Sequence, residues 1–357
     1  MTEPPAGTIT TVLGPVAPAE AGATLMHEHV LVDLSATFSP VDDPELARYR
    51  EARVTNNLLE LLRVWPFSLT LDNVRLDDER LAVEEVGAFA AAGGSLVVDC
   101  TLDGMGRDPA ALQRIARATG LHIVQGTGFY VELAHPPFVA NLTVDELAAH
   151  FVRELTEGIG DTGVRAGIIG EIGTSGVDPV SRRKRGDMTP AEEKVLRAAG
   201  AACVETGAAV TVHLDPRGTG ADRAIEVLAG EGAPPDRMIM GHMDANPDLE
   251  YHLRVAETGV FVEYDHFGRE YYAGHMGRPY TRDARRVELL CALVERGFAG
   301  QLLLSQDVCA KIDLHRHGGN GYDHVLRRIV PQLRARGVDD AAIQAMLVDN
   351  PRRALAF

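Results

Sequence analysis

Short, continuous apolar runs alternate along this chain with longer segments in which apolar residues recur at helical spacing. The apolar runs predict eight strands, at 24–34, 95–101, 122–130, 166–173, 208–214, 237–243, 260–267 and 301–307. Several of them, such as SLVVDC, AGIIGEIG, AAVTVH and QLLLSQD, are apolar at nearly every position. Strands read this way when both faces of a parallel sheet are covered. Helices are predicted at 77–92, ahead of Gly93-Gly94, and at 108–119, ahead of Gly120, because glycine supplies the left-handed residue that ends a helix. Thr143-Val-Asp-Glu146 and Thr189-Pro-Ala-Glu192 read as capping boxes, the second with proline at the first helical position. Further helices are expected at 190–206, 222–229, 247–257, 282–296, 324–336 and 340–356, with Pro331 kinking or shortening the penultimate one.

Eight alternations of strand and helix predict an α/β fold, the (β/α)8 TIM barrel, as a single domain over residues 1–357. An open doubly wound sheet is the alternative, but its GxGxxG fingerprint is absent after the first strand. Residues 35–67 are too many for a simple connection. They predict an extra helical insertion around 44–65 after strand 1, and the final helix reads as a C-terminal appendage.

Composition narrows the function. Lys and Arg total 35 against 51 Asp and Glu, a formal charge of −16. Such a chain repels phosphate backbones, which argues against a nucleic-acid partner. Hydrophobic content of 45% and charged content of 24% belong to globular proteins rather than disordered ones. No apolar run approaches the roughly 18 residues of a membrane span, and the N-terminus lacks a signal-peptide pattern. The four cysteines, Cys100, Cys203, Cys291 and Cys309, are scattered without CxxC spacing, against both a disulfide framework and a thiolate zinc site. The expectation is a cytoplasmic, reduced protein with a small-molecule substrate and no membrane partner; a homodimer is compatible with the chain.

In a barrel the C-terminal strand ends meet at one mouth, where function sits. The polar residues at those ends include His27 and His29, Asp99 and Thr101, Glu171, His213, His242, Asp265 and His266, and Asp307. In His27-Glu28-His29 the two imidazoles lie two apart on a strand, so both face one side while Glu28 points away. Neutral imidazole suits Zn2+, and carboxylates complete such sites. A lone HxH pair is a weak signal. Four imidazoles and two carboxylates facing one cavity are another matter, because their burial is costly without an ion.

The same residues lie in segments that resemble the amidohydrolase superfamily, and within it the phosphotriesterase family: TVLGPV, LMHEHV, GTGFYV, AGIIGEIGTS, TVH, GHMD, VEYDHFG, SQD, GGNGYDH and the terminal NPRRALAF. More narrowly, the chain is similar to the phosphotriesterase-related proteins. The resemblance implies two divalent ions, Zn2+ in the first instance, with a bridging hydroxide as nucleophile. His27, His29 and Asp307 would hold the more buried ion, and His213 and His242 the more exposed one. The best-known members bridge their ions with a carboxylated lysine. Here Lys184, Lys194 and Lys311 all fall away from strand ends, so Glu171 must supply the bridging carboxylate.

On this reading Asp307 is the catalytic proton acceptor, and Asp244 and Asp265 are candidate partners of the ligands or relay members. Substrate contacts are expected from Tyr130, which follows strand 3 where the family has an aromatic, and from His266, Arg269, Tyr271 and Tyr272 after strand 7. His266 stands where lactonase members carry arginine. The basic run Arg182-Arg183-Lys184-Arg185 after strand 4 reads as a solvated face that also suits an anionic substrate. The expected activity is hydrolysis of a small carboxylic ester, lactone or N-acyl amino-acid-like amide. A phosphotriesterase and a non-catalytic metal-dependent binding protein are the alternatives.

Overall fold

Strands and helices alternate along the folded chain as the pattern predicts. The computed structural model describes residues 7–357 except 216, 275 and 276. One sheet contains β1 Ala23–Glu28, β2 Gly94–Asp99, β3 His122–Thr127, β4 Ile168–Gly173, β5 Val210–His213, β6 Met238–Met240, β7 Phe261–Tyr264 and β8 Leu302–Leu304. Neighbours pair in chain order, and each of these pairs is parallel. The ends of the sheet meet where Asp307 N donates to His27 O at 3.2 Å and His27 N donates to Ser305 Oγ at 3.0 Å. This is the TIM barrel.

The interior is filled by one apolar set, including Met26, Leu96, Val98, Val124, Ile168, Ala209, Ile239, Phe261 and Leu303, closed off by Ile9 and Leu355. A second set, with Leu25, Val97, Ile123, Ile169, Val210 and Val262, packs outward against the helices. Those helices are α1 Glu79–Ala91, α2 Pro109–Thr119, α3 Val144–Thr156, α4 Pro190–Thr206, α5 Ala221–Gly230, α6 Leu249–Glu257 and α7 Asp283–Glu295. Their ends are set locally. Asp108 accepts from Ala111 N to start α2, which stops at Gly120 with φ 75°. Both expected capping boxes form, at Thr143/Glu146 and Thr189/Glu192.

Near the mouth, the expected period of two fails at two strands. On β1, Leu25 pairs with Val97 and Glu28 with Asp99, so β1 carries one extra residue. On β4, Ile169 pairs with Val210 and Ile172 with Val212, again one extra. Such bulges re-aim side chains at a barrel rim. Without its bulge, β4 would put Glu171 on the same face as the helix-packed Ile169. Gly170, at φ 113°, sits in the bulge, and a Cβ there would lie 2.2 Å from Thr211 O.

Several expected bounds are corrected. Strand 1 ends at Glu28 rather than running to 34; Val32–Asp33 turns away to pair with Arg75–Leu76. The insertion is not one helix over 44–65. It forms two single turns, Pro44–Ala47 and Leu59–Leu62, separated where Thr55 adopts an extended conformation. β-Branched Val54-Thr55 favours that break. Pro331 does not end its helix. A π-helical turn Val325–Ile329 runs into helix Val330–Ala335, with Val330 N donating five residues back to Val325 O. Widening the turn accommodates a proline that cannot donate. The same device, Ala345–Asp349, precedes Pro351.

Arg107, in the loop after β2, donates to Glu154 of α3 through both terminal nitrogens, at 2.6 and 2.8 Å, and Thr127 Oγ1 donates to the same carboxylate at 2.6 Å. Both charged side chains are buried. Burial raises the Glu154 pKa, but Arg107 and Thr127 hold it below the usual carboxylate value. Arg107→Ala is expected to destabilise the fold by about 3–5 kcal/mol at neutral pH, by leaving a buried charge unpaired. The orphaned Glu154 then protonates more readily than in the parent, so the gap narrows as pH falls. Urea titrations of both proteins at neutral and acid pH check this.

Candidate metal centre and active site

The bulges of β1 and β4 deliver His27, His29 and Glu171 to the barrel mouth, where the ends of β5, β6 and β8 add His213, His242 and Asp307. All six are buried. Glu171 Oε1 lies 3.2 Å from His29 Nε2. Its Oε2 lies 3.2 Å from His27 Nε2 and 2.8 Å from His213 Nδ1, with His242 Nε2 at 3.8 Å. Asp307 Oδ1 is 3.4 Å from His29 Nε2. Three triads with ligand atoms mutually within 4.8 Å result from these six residues, His27–His29–Glu171, Glu171–His213–His242 and His27–His242–Asp307, and Glu171 belongs to two of them.

The outward ring atoms of the histidines are also engaged. His29 Nδ1 meets Thr101 Oγ1 at 2.9 Å and His242 Nδ1 meets Asp265 Oδ1 at 2.9 Å. His27 Nδ1 faces Glu263 Oε2 and Asp265 Oδ2, both at 3.4 Å. His213 presents Nδ1 inward, and its Nε2 meets the Tyr130 hydroxyl at 3.2 Å. Partners of this kind fix the tautomer and aim of a metal-binding imidazole. His27 Nε2 is buried with no hydrogen-bond partner. An orphaned imidazole nitrogen among converging imidazoles and carboxylates fits divalent cations, and the donor types fit Zn2+.

The electrostatics point the same way. Burial opposes protonation of His29 and His242, yet the carboxylates around them push the two up to about 9 and about 10. Burial opposes ionisation of Glu171, but His27 and His213 hold it well below its ordinary value. Without cations, this site draws protons to His29 and His242, while burial and then the charge on His242 hold His213 below its ordinary value.

Two of the six sit on left-handed backbone, His242 at φ 57° and Asp307 at φ 51°. Such conformations cost about 1–3 kcal/mol each and persist only where surroundings fix them. Asp265 accepts from His242 N at 2.9 Å. Glu28 accepts from Gln306 N and Val308 N, both at 2.8 Å, and so grips the chain on either side of Asp307. Glu28 does point away from the histidines, and this is what it reaches.

The side chain of Asp307 has a second face. Its Oδ2 lies 2.8 Å from Arg269 Nη1 and 3.4 Å from His266 Nε2. Arg269 Nη2 also donates to the Asp307 carbonyl. Beyond His266, Nδ1 lies 3.6 Å from Asp244 Oδ1, and the fully buried Arg286 holds Asp244 Oδ2 at 2.6 Å. His266 stacks on His242 with ring centroids 4.5 Å apart. Burial and then His242 push its pKa down to about 3, so His266 is neutral.

The cluster opens into a cavity of ≈350 Å³. Its walls include Leu34, Phe38, Phe67, Val74, Tyr130, Val131 and Leu133, with Arg182 among the lining residues. Of the expected substrate contacts, Tyr130, His266 and Arg269 line this cavity. One correction follows. Tyr271 and Tyr272 do not line it: Tyr271 donates to Asp313 at 3.0 Å, and Tyr272 N donates to Arg63 O, which draws that strand toward the insertion. Arg269 is committed to Asp307 rather than free for an anion. Sequence reasoning missed Glu263 and Arg286. Glu263 was within reach of it, standing two residues before Asp265 on one strand face.

Residues 7–355 match the phosphotriesterase family. The chain is 32% identical to an N-acetyltaurine hydrolase from Salmo salar, over 98% of each chain. It is 38% identical to the crystal structure of a resiniferatoxin-binding protein from Rhodobacter sphaeroides, with a TM-score of 0.92 over 98% of this chain and 95% of that one. A lactonase from Listeria monocytogenes is 28% identical, with a TM-score of 0.77 over 98% and 99% of the two chains. With the barrel and the strand-end residues already in place, these matches establish that the chain belongs to the phosphotriesterase family.

Proposed function

We propose that the chain is a binuclear metal-dependent hydrolase of a small carboxylic amide, ester or lactone. The observation that carries this reading is the Glu171 carboxylate, which addresses two histidine groups at once. His27, His29 and Asp307 would hold one ion, His213 and His242 the other, and Glu171 both, with Zn2+ as the resident metal. Bound ions of this kind polarise a scissile carbonyl and lower the pKa of water toward neutrality. The rest is done by side chains. Asp307 accepts the proton released on attack, and His266 Nε2 stands next to Oδ2 to move it on toward Asp244. Arg269 keeps the Asp307 carboxylate oriented. The apolar wall takes the acyl part of the substrate.

The named activities of relatives, N-acetyltaurine hydrolysis and lactone hydrolysis, support an N-acyl amino-acid-like amide or a lactone as substrate. Organophosphate triesters are expected to be poorer substrates than either. A second reading, a ligand-binding protein, is favoured by the resiniferatoxin-binding neighbour and the apolar cavity wall. Turnover of acyl amides, lactones or esters by metal-loaded protein separates the two, since a pure binder hydrolyses none.

Three outcomes test the hydrolase. Elemental analysis of protein grown with zinc should find about two ions per chain. Glu171→Gln should lose at least one of them and nearly all activity, because an amide offers one good oxygen and no charge; recovery after chelation should need metal but no bicarbonate. Asp307→Asn should lower kcat by about 10²–10⁴ with a small change in KM. That variant also strands Arg269, so it should lose stability, and its kinetics are to be read at a temperature where circular dichroism finds it folded.

A further inference from the structure

The basic run after β4 sorts into different partners. Lys184 Nζ pairs with Asp215 Oδ2 at 2.5 Å, tying this loop to the one after β5. Arg185 faces Asp178 at 3.6 Å. Arg182 makes no ion pair among the described residues; it is exposed, and it lines the catalytic cavity. The other arginine on that cavity, Arg269, is held by Asp307. An anion entering the cavity therefore finds one available guanidinium.

The position of Arg182 is built into the loop. Val177 bridges to Lys184, and Arg185 N donates to Gly176 O at 2.8 Å. Gly176, at φ 64°, allows this closure, since a Cβ there would lie 2.1 Å from Gly186 O. Inside the turn, Ser181 N donates to Asp178 Oδ1 at 2.6 Å, and Arg182 N donates to Asp178 O at 2.9 Å. Arg182 itself is left-handed, at φ 56°. A non-glycine residue held there is a costly choice for a solvated tip. The global charge of −16 also repels anions, so their capture needs a local cation.

We propose that Arg182 is the specificity-determining residue for an anionic end group, and that the substrates carry a carboxylate or sulfonate distal to the scissile bond. This rests on the hydrolase reading above. The buried ligand cluster takes the acyl group, and Arg182 at the exposed rim takes the acid through a charge-assisted bidentate contact.

The test compares N-acetyl-β-alanine with its neutral primary amide, using metal-loaded parent protein, Arg182→Gln and Arg182→Lys. For each pair, kcat and KM are measured, and binding is measured separately by calorimetry on metal-free protein, where nothing turns over. The parent is expected to favour the acid by about tenfold in KM and in affinity. Arg182→Gln should abolish that preference, Arg182→Lys should restore part of it, and added salt should shrink it. Equal handling of acid and amide by the parent overturns the proposal. So does an unchanged preference in Arg182→Gln. If neither compound is hydrolysed but the acid still binds more tightly through Arg182, the anion subsite stands and the hydrolase reading falls.

Discussion

One carboxylate, that of Glu171, has to be kept ionised between two groups of imidazoles while it is almost wholly buried at the floor of the cavity. Burial alone would neutralise it. Its surroundings prevent that, since His27 and His213 hold its pKa down. The backbone is shaped to the same end: the bulge at Gly170 turns Glu171 off the helix-packed face and into the mouth. The bulge on β1 does the same for the two histidines of the HxH pair. The β1–β2 pair is irregular again at its far end, between Ala23 and Thr24, but the two bulges near the mouth are those that carry the centre of the site.

A chain of polar contacts runs outward from that centre through Asp307, with the neutral His266 between two carboxylates. Asp307 faces both Arg269 and His266, and His266 faces Asp244. Arg286 joins Asp244 to Asp283, which in turn meets His324 at 2.7 Å. Buried charges survive only when each has a partner of opposite sign and good geometry. Here the partners come from the loops after β6, β7 and β8 and from α7, so the network clamps those loops together. The same contacts that satisfy Asp307 also fix its orientation.

The wall of the cavity is fastened to this frame. Phe38, Phe67 and Val74 come from the segment after β1. That segment is tied to the loop after β8 by Lys311 Nζ to Asp72 at 2.7 Å and by Ile312 N donating to Asn73 at 3.1 Å. Leu62 of its second helical turn and Leu58 just before that turn are buried in one apolar cluster with Ile312. The apolar wall and Asp307 are thus held by neighbouring stretches of the loop after β8, while Arg182 lines the cavity from the loop after β4.

The sequence by itself determined the order of elements and the side of the barrel that matters. Continuous apolar runs can be satisfied only by strands covered on both faces, and capped amphipathic stretches supply the covers. The histidines and acids at successive run ends then share one mouth by topology. What the pattern did not carry was which way single residues turn. A period of two places Glu171 with Ile169, and only the pairing of β4 with β5 reveals the extra residue that reverses it. The insertion likewise looked like one helix, yet it folds as two separate turns whose residues also contact distant loops. Arg269 and Arg182 read alike as loop cations. What separates them is whether a carboxylate lies nearby, and for Arg269 that carboxylate, Asp307, arrives from the loop after β8, 38 residues further along the chain. Distances between segments so far apart are decided by packing, which local sequence does not encode.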